Sequence, residues 1–126
     1  MYQDYKDIAE FRIVYIREAH ASDSNWPVPY AIEKGITQHK NYGQRCSVAQ
    51  RLVKDEKLSI PTIIDKMNNN VNEAYDAFPN RAFVVRKDGR LGVAAKPGPR
   101  GYAPALEEAK EWLAQYKKTG KEPESE

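Results

Sequence analysis

A single cysteine, Cys46, stands in the 126 residues. An internal disulfide is thereby excluded, and so is a cysteine-built metal cluster. No apolar run approaches the roughly 20 residues that a membrane-spanning helix needs. Met1-Tyr2-Gln3-Asp4 enters polar sequence at once, without a charged and then apolar leader. An excess of charge of one sign is missing too: 20 Lys and Arg against 18 Asp and Glu leave +2. Most basic residues have acidic neighbours, as in Lys54-Asp55-Glu56-Lys57 and Arg86-Lys87-Asp88. The basic stripe of a nucleic-acid binder is therefore lacking, which argues against nucleic acid as a partner. Internal repeats and a second domain are absent. The expectation for localisation is a cytoplasmic, reducing setting.

What remains is a chain 40% hydrophobic and 30% charged, with a mean hydropathy of −0.79. That balance fits one globular α/β domain, or part of one, with a modest core. Residues 1–10 read as helix, because Tyr2, Tyr5, Ile8 and Ala9 recur at helical spacing, although no capping residue precedes them. The β-branched and aromatic run 11–16 predicts a largely buried strand. It gives way to a turn-rich loop through Pro29, long enough to be functional or packed on itself. A helix is expected over 41–56 with Val48, Leu52 and Val53 inward, a strand over 60–65, and a short helix over 71–78 ended by Pro79. Residues 81–86 and 90–95 flank Lys87-Asp88-Gly89, a strong hairpin signal. A helix over 104–118 turns Leu106, Ala109, Trp112, Leu113 and Tyr116 inward, which makes Trp112 and Tyr116 core residues rather than ligand contacts. Residues 119–126 read as a disordered polar tail.

Chemistry-bearing residues are few. Cys46 falls mid-helix, where a lone cysteine is a small buried hydrophobe rather than a nucleophile. Glu18 and His20 lie two apart at the carboxyl end of the first strand, where open α/β sheets place their sites. An extended backbone would point both to one side, and a carboxylate beside an imidazole orients the ring and favours its protonated form. His39 is the other histidine. Glu18, His20 and His39 include metal-ligating types but lack the spacing of an HExxH helix, so no metal is expected. Taken alone, both histidines read as ordinary loop residues. Gly98-Pro99-Arg100-Gly101-Tyr102 lacks the strand and helix that frame a phosphate loop and reads as a turn before the last helix.

Several stretches nevertheless resemble the iodothyronine deiodinase family. They are Val14-Tyr15-Ile16-Arg17-Glu18-Ala19-His20-Ala21-Ser22-Asp23, Gln38-His39-Lys40-Asn41 and Ile60-Pro61-Thr62-Ile63-Ile64-Asp65-Lys66-Met67. Ala74-Tyr75, Pro79-Asn80-Arg81 and Gly98-Pro99-Arg100-Gly101-Tyr102 continue the match. The resemblance implies a thioredoxin-like fold, a mixed sheet flanked by helices, with Pro61 held cis and facing the redox centre. It implies reductive removal of iodide from an iodinated phenolic substrate, at the expense of an external thiol and with no bound cofactor. Glu18 and His20 would then be catalytic, as a proton-delivery network. His39, Trp26 and Pro61 would contact the substrate. A homodimer is a further expectation.

The family's nucleophile is a selenocysteine, or in some members a cysteine, placed before the helix that here starts at Met1. The resemblance therefore implies that residues 1–118 are a partial domain without its first strand or strands and its nucleophile. A start codon just after an in-frame UGA would explain this. It also implies that a strand is missing between 11–16 and 60–65, which would leave two exposed edges. Two alternatives stand beside the deiodinase reading. One is a non-catalytic thioredoxin-fold binding module, the other a peroxiredoxin-like thiol reductase.

Overall fold

The computed structural model describes residues 1–98 and 100–124. Pro99, inside the predicted turn, and Ser125 and Glu126, at the end of the predicted tail, lie outside the described residues. The chain divides into two compact units, Phe11–Phe78 and Met1–Glu10 with the chain from Pro79 onward.

The unit Phe11–Phe78 holds β1 (Ile13–Tyr15), α2 (Pro29–Lys34), α3 (Tyr42–Asp55), β2 (Thr62–Ile64) and α4 (Asn70–Tyr75); α1 (Tyr2–Tyr5) precedes it in the chain. β1 and β2 are parallel, with Ile13 opposite Thr62, Val14 opposite Ile63 and Tyr15 opposite Ile64. A parallel pair needs a long crossover, and α2 and α3 provide it. The resemblance puts a further strand between these two. Here they pair directly, so the edges expected to face a gap satisfy each other's polar groups.

Local chemistry sets the helix ends. Asn41 caps α3, its Oδ1 accepting the Gln44 N–H at 2.8 Å. α2 was not expected from hydrophobic spacing, yet its punctuation is in the sequence. Pro29 opens it, and Gly35 closes it at φ +65°, where a side chain would be strained. Ala21, Ala31, Ile36 and Ala49 form the buried apolar set with Tyr15. The expected inner face of α3 needs correcting. Val48, Leu52 and Val53 are only half-buried, and the residues that disappear from solvent are Ala49 and Arg45. A buried guanidinium on that face belongs to the site described below.

The other unit is built on the hairpin β3 (Phe83–Val85) and β4 (Leu91–Ala94), antiparallel with Val84 opposite Val93. Gly89 turns it at φ +86°. α5 (Tyr102–Thr119) packs on the hairpin through Ala105 and Trp112, which meet Val93, Ala95 and Val84. The predicted helix over 1–10 is reduced to α1. That four-residue turn has no side-chain cap and buries nothing, so little offsets the cost of helix nucleation. After α5, Glu122 accepts the Lys87 N–H at 3.2 Å, and Arg86 donates to the Pro123 carbonyl. Among the described residues no helix is long and apolar enough to cross a membrane. Parallel strands joined by crossover helices, then a hairpin and a closing helix, make the fold α/β and thioredoxin-like.

Candidate functional site

β1 ends at Tyr15, and its hydroxyl is the centre of a hydrogen-bonded chain within the unit Phe11–Phe78. Tyr15 donates to Glu18 Oε1 and meets His39 Nε2 at 3.1 Å. On the far side of the imidazole, Arg45 Nε donates to His39 Nδ1 at 3.1 Å. Guanidinium nitrogens only donate, so Nδ1 is the acceptor and bears no proton. The ring proton is then on Nε2, which donates to the Tyr15 oxygen. Each group in the sequence Arg45, His39, Tyr15, Glu18 donates to the next.

Arg45 is also held from its other end. Its Nη1 donates to the Asp65 carbonyl at 3.2 Å and the Lys66 carbonyl at 2.9 Å. Arg45 is 2% exposed and His39 6% exposed, so water competes little for these bonds. Asp65, also buried, sends its carboxylate the other way and accepts the Val71 and Asn72 N–H groups of α4 at 2.9 and 3.0 Å. Burial, and secondarily the Arg45 charge, lower the His39 pKa from its ordinary 6.5. Burial above all, then the Glu18 carboxylate, push the Tyr15 hydroxyl far up, so it stays a neutral donor.

The loop after β1 is held by its own polar groups. Gln38 brackets the main chain of Glu18, and its N–H donates to Asp23 Oδ1 at 2.9 Å. Ser22 N–H donates to the Ile36 carbonyl at 2.7 Å, and Ala21 between them is fully buried. This is a loop packed on itself, as its length implied.

The expected pairing of Glu18 with His20 is not formed. β1 stops at Tyr15, so the backbone over these residues is bent rather than extended, and the two side chains take different partners. Glu18 is joined to Tyr15 and through it to His39. His20 is exposed, and its Nδ1 donates to the Trp26 carbonyl at 2.8 Å. That bond leaves Nε2 as the nitrogen with a lone pair in the neutral ring. Trp26 meets His20 through its main-chain carbonyl, and the residue is 77% exposed. Pro61 is exposed at the entrance of β2, and its carbonyl accepts the Ile13 N–H at 3.0 Å. The structure thus brings Glu18 and His39 together, and His20 with Trp26.

An open groove of about 500 Å³ runs beside His39, lined also by Ile36, Thr37, Gln44, Ser47 and Arg51. Cys46 is partly buried on α3 and interacts with the Tyr42 hydroxyl one turn back, a contact that raises the tyrosine pKa. No group of three His, Cys, Asp or Glu among the described residues could hold a metal ion. Sequence reasoning gave no role to Tyr15, Gln38, Arg45 or Asp65. Tyr15, Gln38 and Asp65 sit inside the stretches that carry the resemblance, whereas nothing in the spacing around Arg45 marks it.

A half-buried carboxylate and a buried tyrosine thus meet a neutral histidine by the carboxyl end of β1, the place where open α/β sheets put their sites. The family model for iodothyronine deiodinase matches residues 1–117. Thyroxine 5-deiodinase of Sparus aurata is 38% identical over 116 residues, 90% of this chain and 40% of that protein. Type II iodothyronine deiodinase of Homo sapiens is 32% identical over 117 residues, 88% of this chain and 41% of that protein. Type I iodothyronine deiodinase of Xenopus laevis is 35% identical over 101 residues, 80% of this chain and 38% of that protein. The chain belongs to the iodothyronine deiodinase family. It spans about two-fifths of the length of these relatives.

Proposed function

We propose that this chain is the proton-handling part of a deiodinase-type oxidoreductase acting on an iodinated phenolic substrate. The observation that supports it is the chain of donors ending on Glu18 at the carboxyl end of β1. In the overall reaction an aryl iodide and two thiols give the arene, a disulfide, iodide and a proton. A selenolate or thiolate takes the iodine, the carbon–iodine electron pair stays on carbon, and that carbon takes a proton. Thiol then reduces the selenium–iodine or sulfur–iodine bond and releases iodide. Cys46 on α3 is not at the family's nucleophile position, so the residues of this chain are assigned to the proton and the substrate. Glu18, at the end of that chain of donors, and His20, whose ring is open to solvent, deliver the proton. His39, Trp26 and Pro61 contact the substrate. Both His39 nitrogens are occupied, so a substrate phenol reaching Nε2 would replace the Tyr15 phenol there.

The test is thiol-dependent iodide release from an iodinated phenol by the protein made from its complete reading frame. His20→Asn and Glu18→Gln should each lower it about 10²–10⁴-fold, the ordinary worth of a general acid or base. His20→Asn should leave stability within about 0.5 kcal/mol, because His20 is exposed. Saturable binding of the iodinated phenol with no iodide release at any thiol concentration would instead support the binding module.

A further inference from the structure

The hydrogen bond from Arg45 to His39 has a chemical consequence for the path of the proton. A histidine conducts a proton only if it can take one at one nitrogen and give one from the other. His39 gives from Nε2 to Tyr15, so it would have to be resupplied at Nδ1. The group at Nδ1 is a guanidinium, which only donates hydrogen bonds and does not give up its proton in a protein. It is also anchored away from the ring, by two main-chain carbonyls at 2.9 and 3.2 Å. A lysine could offer one ammonium to Nδ1 but not the planar fork that spans ring and carbonyls together.

We infer that Arg45 is a positioning residue that locks His39 as the neutral Nε2–H tautomer, so that the His39–Tyr15 arm aims the tyrosine proton at Glu18 and conducts none itself. This rests on the reading of Glu18 as the proton donor. It leaves the solvent side, rather than His39, as the side from which Glu18 is recharged. Around His39 the charged and titratable groups are Tyr15 of β1, Glu18 after it, Arg45 of α3 and Asp65 beyond β2. Only Arg45 touches Nδ1, and it is the group that excludes a proton there.

The experiment is nitrogen NMR of the ¹⁵N-histidine-labelled chain as a function of pH. The chain has two histidines, so the His20→Asn variant assigns both rings. His39 should show a single neutral Nε2–H tautomer at pH 7 and take up its second proton only at a pH below the ordinary 6.5. Nδ1–H, or a doubly protonated ring at pH 7, overturns the inference without any Arg45 variant having to fold. Arg45→Met should produce a mixture of tautomers and raise the pH at which His39 protonates, and an unchanged ring also overturns the inference. In the complete protein, Arg45→Met should lower iodide release about 10–100-fold, as loss of a histidine-orienting partner does. Arg45→Lys should restore part of it. Failure of every form to release iodide refutes the deiodinase reading and leaves the ring's tautomer a separate result.

Discussion

The side-chain amide of Gln38 closes on the main chain of Glu18 from both sides, accepting its N–H at 3.1 Å and donating to its carbonyl at 2.8 Å. It does for Glu18 what a neighbouring strand would do, one turn past the end of β1. The same Oε1 accepts the His39 N–H at 3.3 Å, so one residue sets the positions of both Glu18 and His39. Gln38→Ala should cost about 1–3 kcal/mol in urea unfolding, because partly buried main-chain groups lose their partners. Amide hydrogen exchange at Glu18 should accelerate as well. An unchanged midpoint and unchanged exchange would mean that the loop is held by other bonds.

Asp65 joins two helices to β2. Its carboxylate accepts two N–H groups of α4, while its carbonyl accepts from Arg45 of α3. Asn69, at the head of α4, makes no side-chain cap, so Asp65 takes that role from outside the helix. Asp65→Asn keeps the shape and replaces one acceptor by an NH₂ group facing an N–H donor. At 1% exposure no water can relieve the conflict, so the loss should be about 1–3 kcal/mol in urea unfolding. A change under about 0.5 kcal/mol, the range of ordinary surface substitutions, would show that the cap is dispensable.

How much of this was legible depended on whether the signal was local. Gly89 between two β-branched runs announces the β3–β4 hairpin, and Asn41 announces the start of α3, because turn and cap chemistry involve only nearby residues. α2 carried Pro29 and Gly35 at its ends but too few apolar positions to show a period. Glu18, His20 and His39 were visible as residue types. Their partners were not: Tyr15 and His39 are 24 positions apart, and Arg45 meets Lys66 across 21. The expected Glu18–His20 pair failed on a local assumption, that the strand ran on past Tyr15.

His39 gives a pH dependence of stability with a definite sign. Burial and the Arg45 charge favour its neutral form in the folded chain, and unfolding frees it to titrate at its ordinary 6.5. Below that pH the unfolded chain binds the extra proton, so the contribution is fully present above 6.5 and is lost as pH falls from there toward the lower folded value. Urea midpoints measured from pH 7.5 to 5.5 should fall on acidification. His39→Gln should be less stable at pH 7.5 but flatter across that window. A wild-type midpoint constant from 7.5 to 5.5 would contradict the depressed pKa.

Two glycines of the second unit should fail on substitution for opposite reasons. Gly101, at the head of α5, has φ −80°, a value any residue adopts, but a Cβ there would sit 1.9 Å from the Lys96 carbonyl oxygen. Gly120, after α5, has nothing within 4 Å of a Cβ, but its φ is +70°. Gly101→Ala should therefore cost about 1–3 kcal/mol through overpacking, since a main-chain atom must shift. Gly120→Ala should cost about 1–2 kcal/mol through its left-handed backbone. Asparagine separates the two causes. Its short polar side chain tolerates the left-handed region, so Gly120→Asn should recover much of what Gly120→Ala loses. Gly101→Asn should be at least as damaging as Gly101→Ala, because the clash begins at Cβ. Urea unfolding of the four variants decides it, and rescue by asparagine at 101 would refute the steric account.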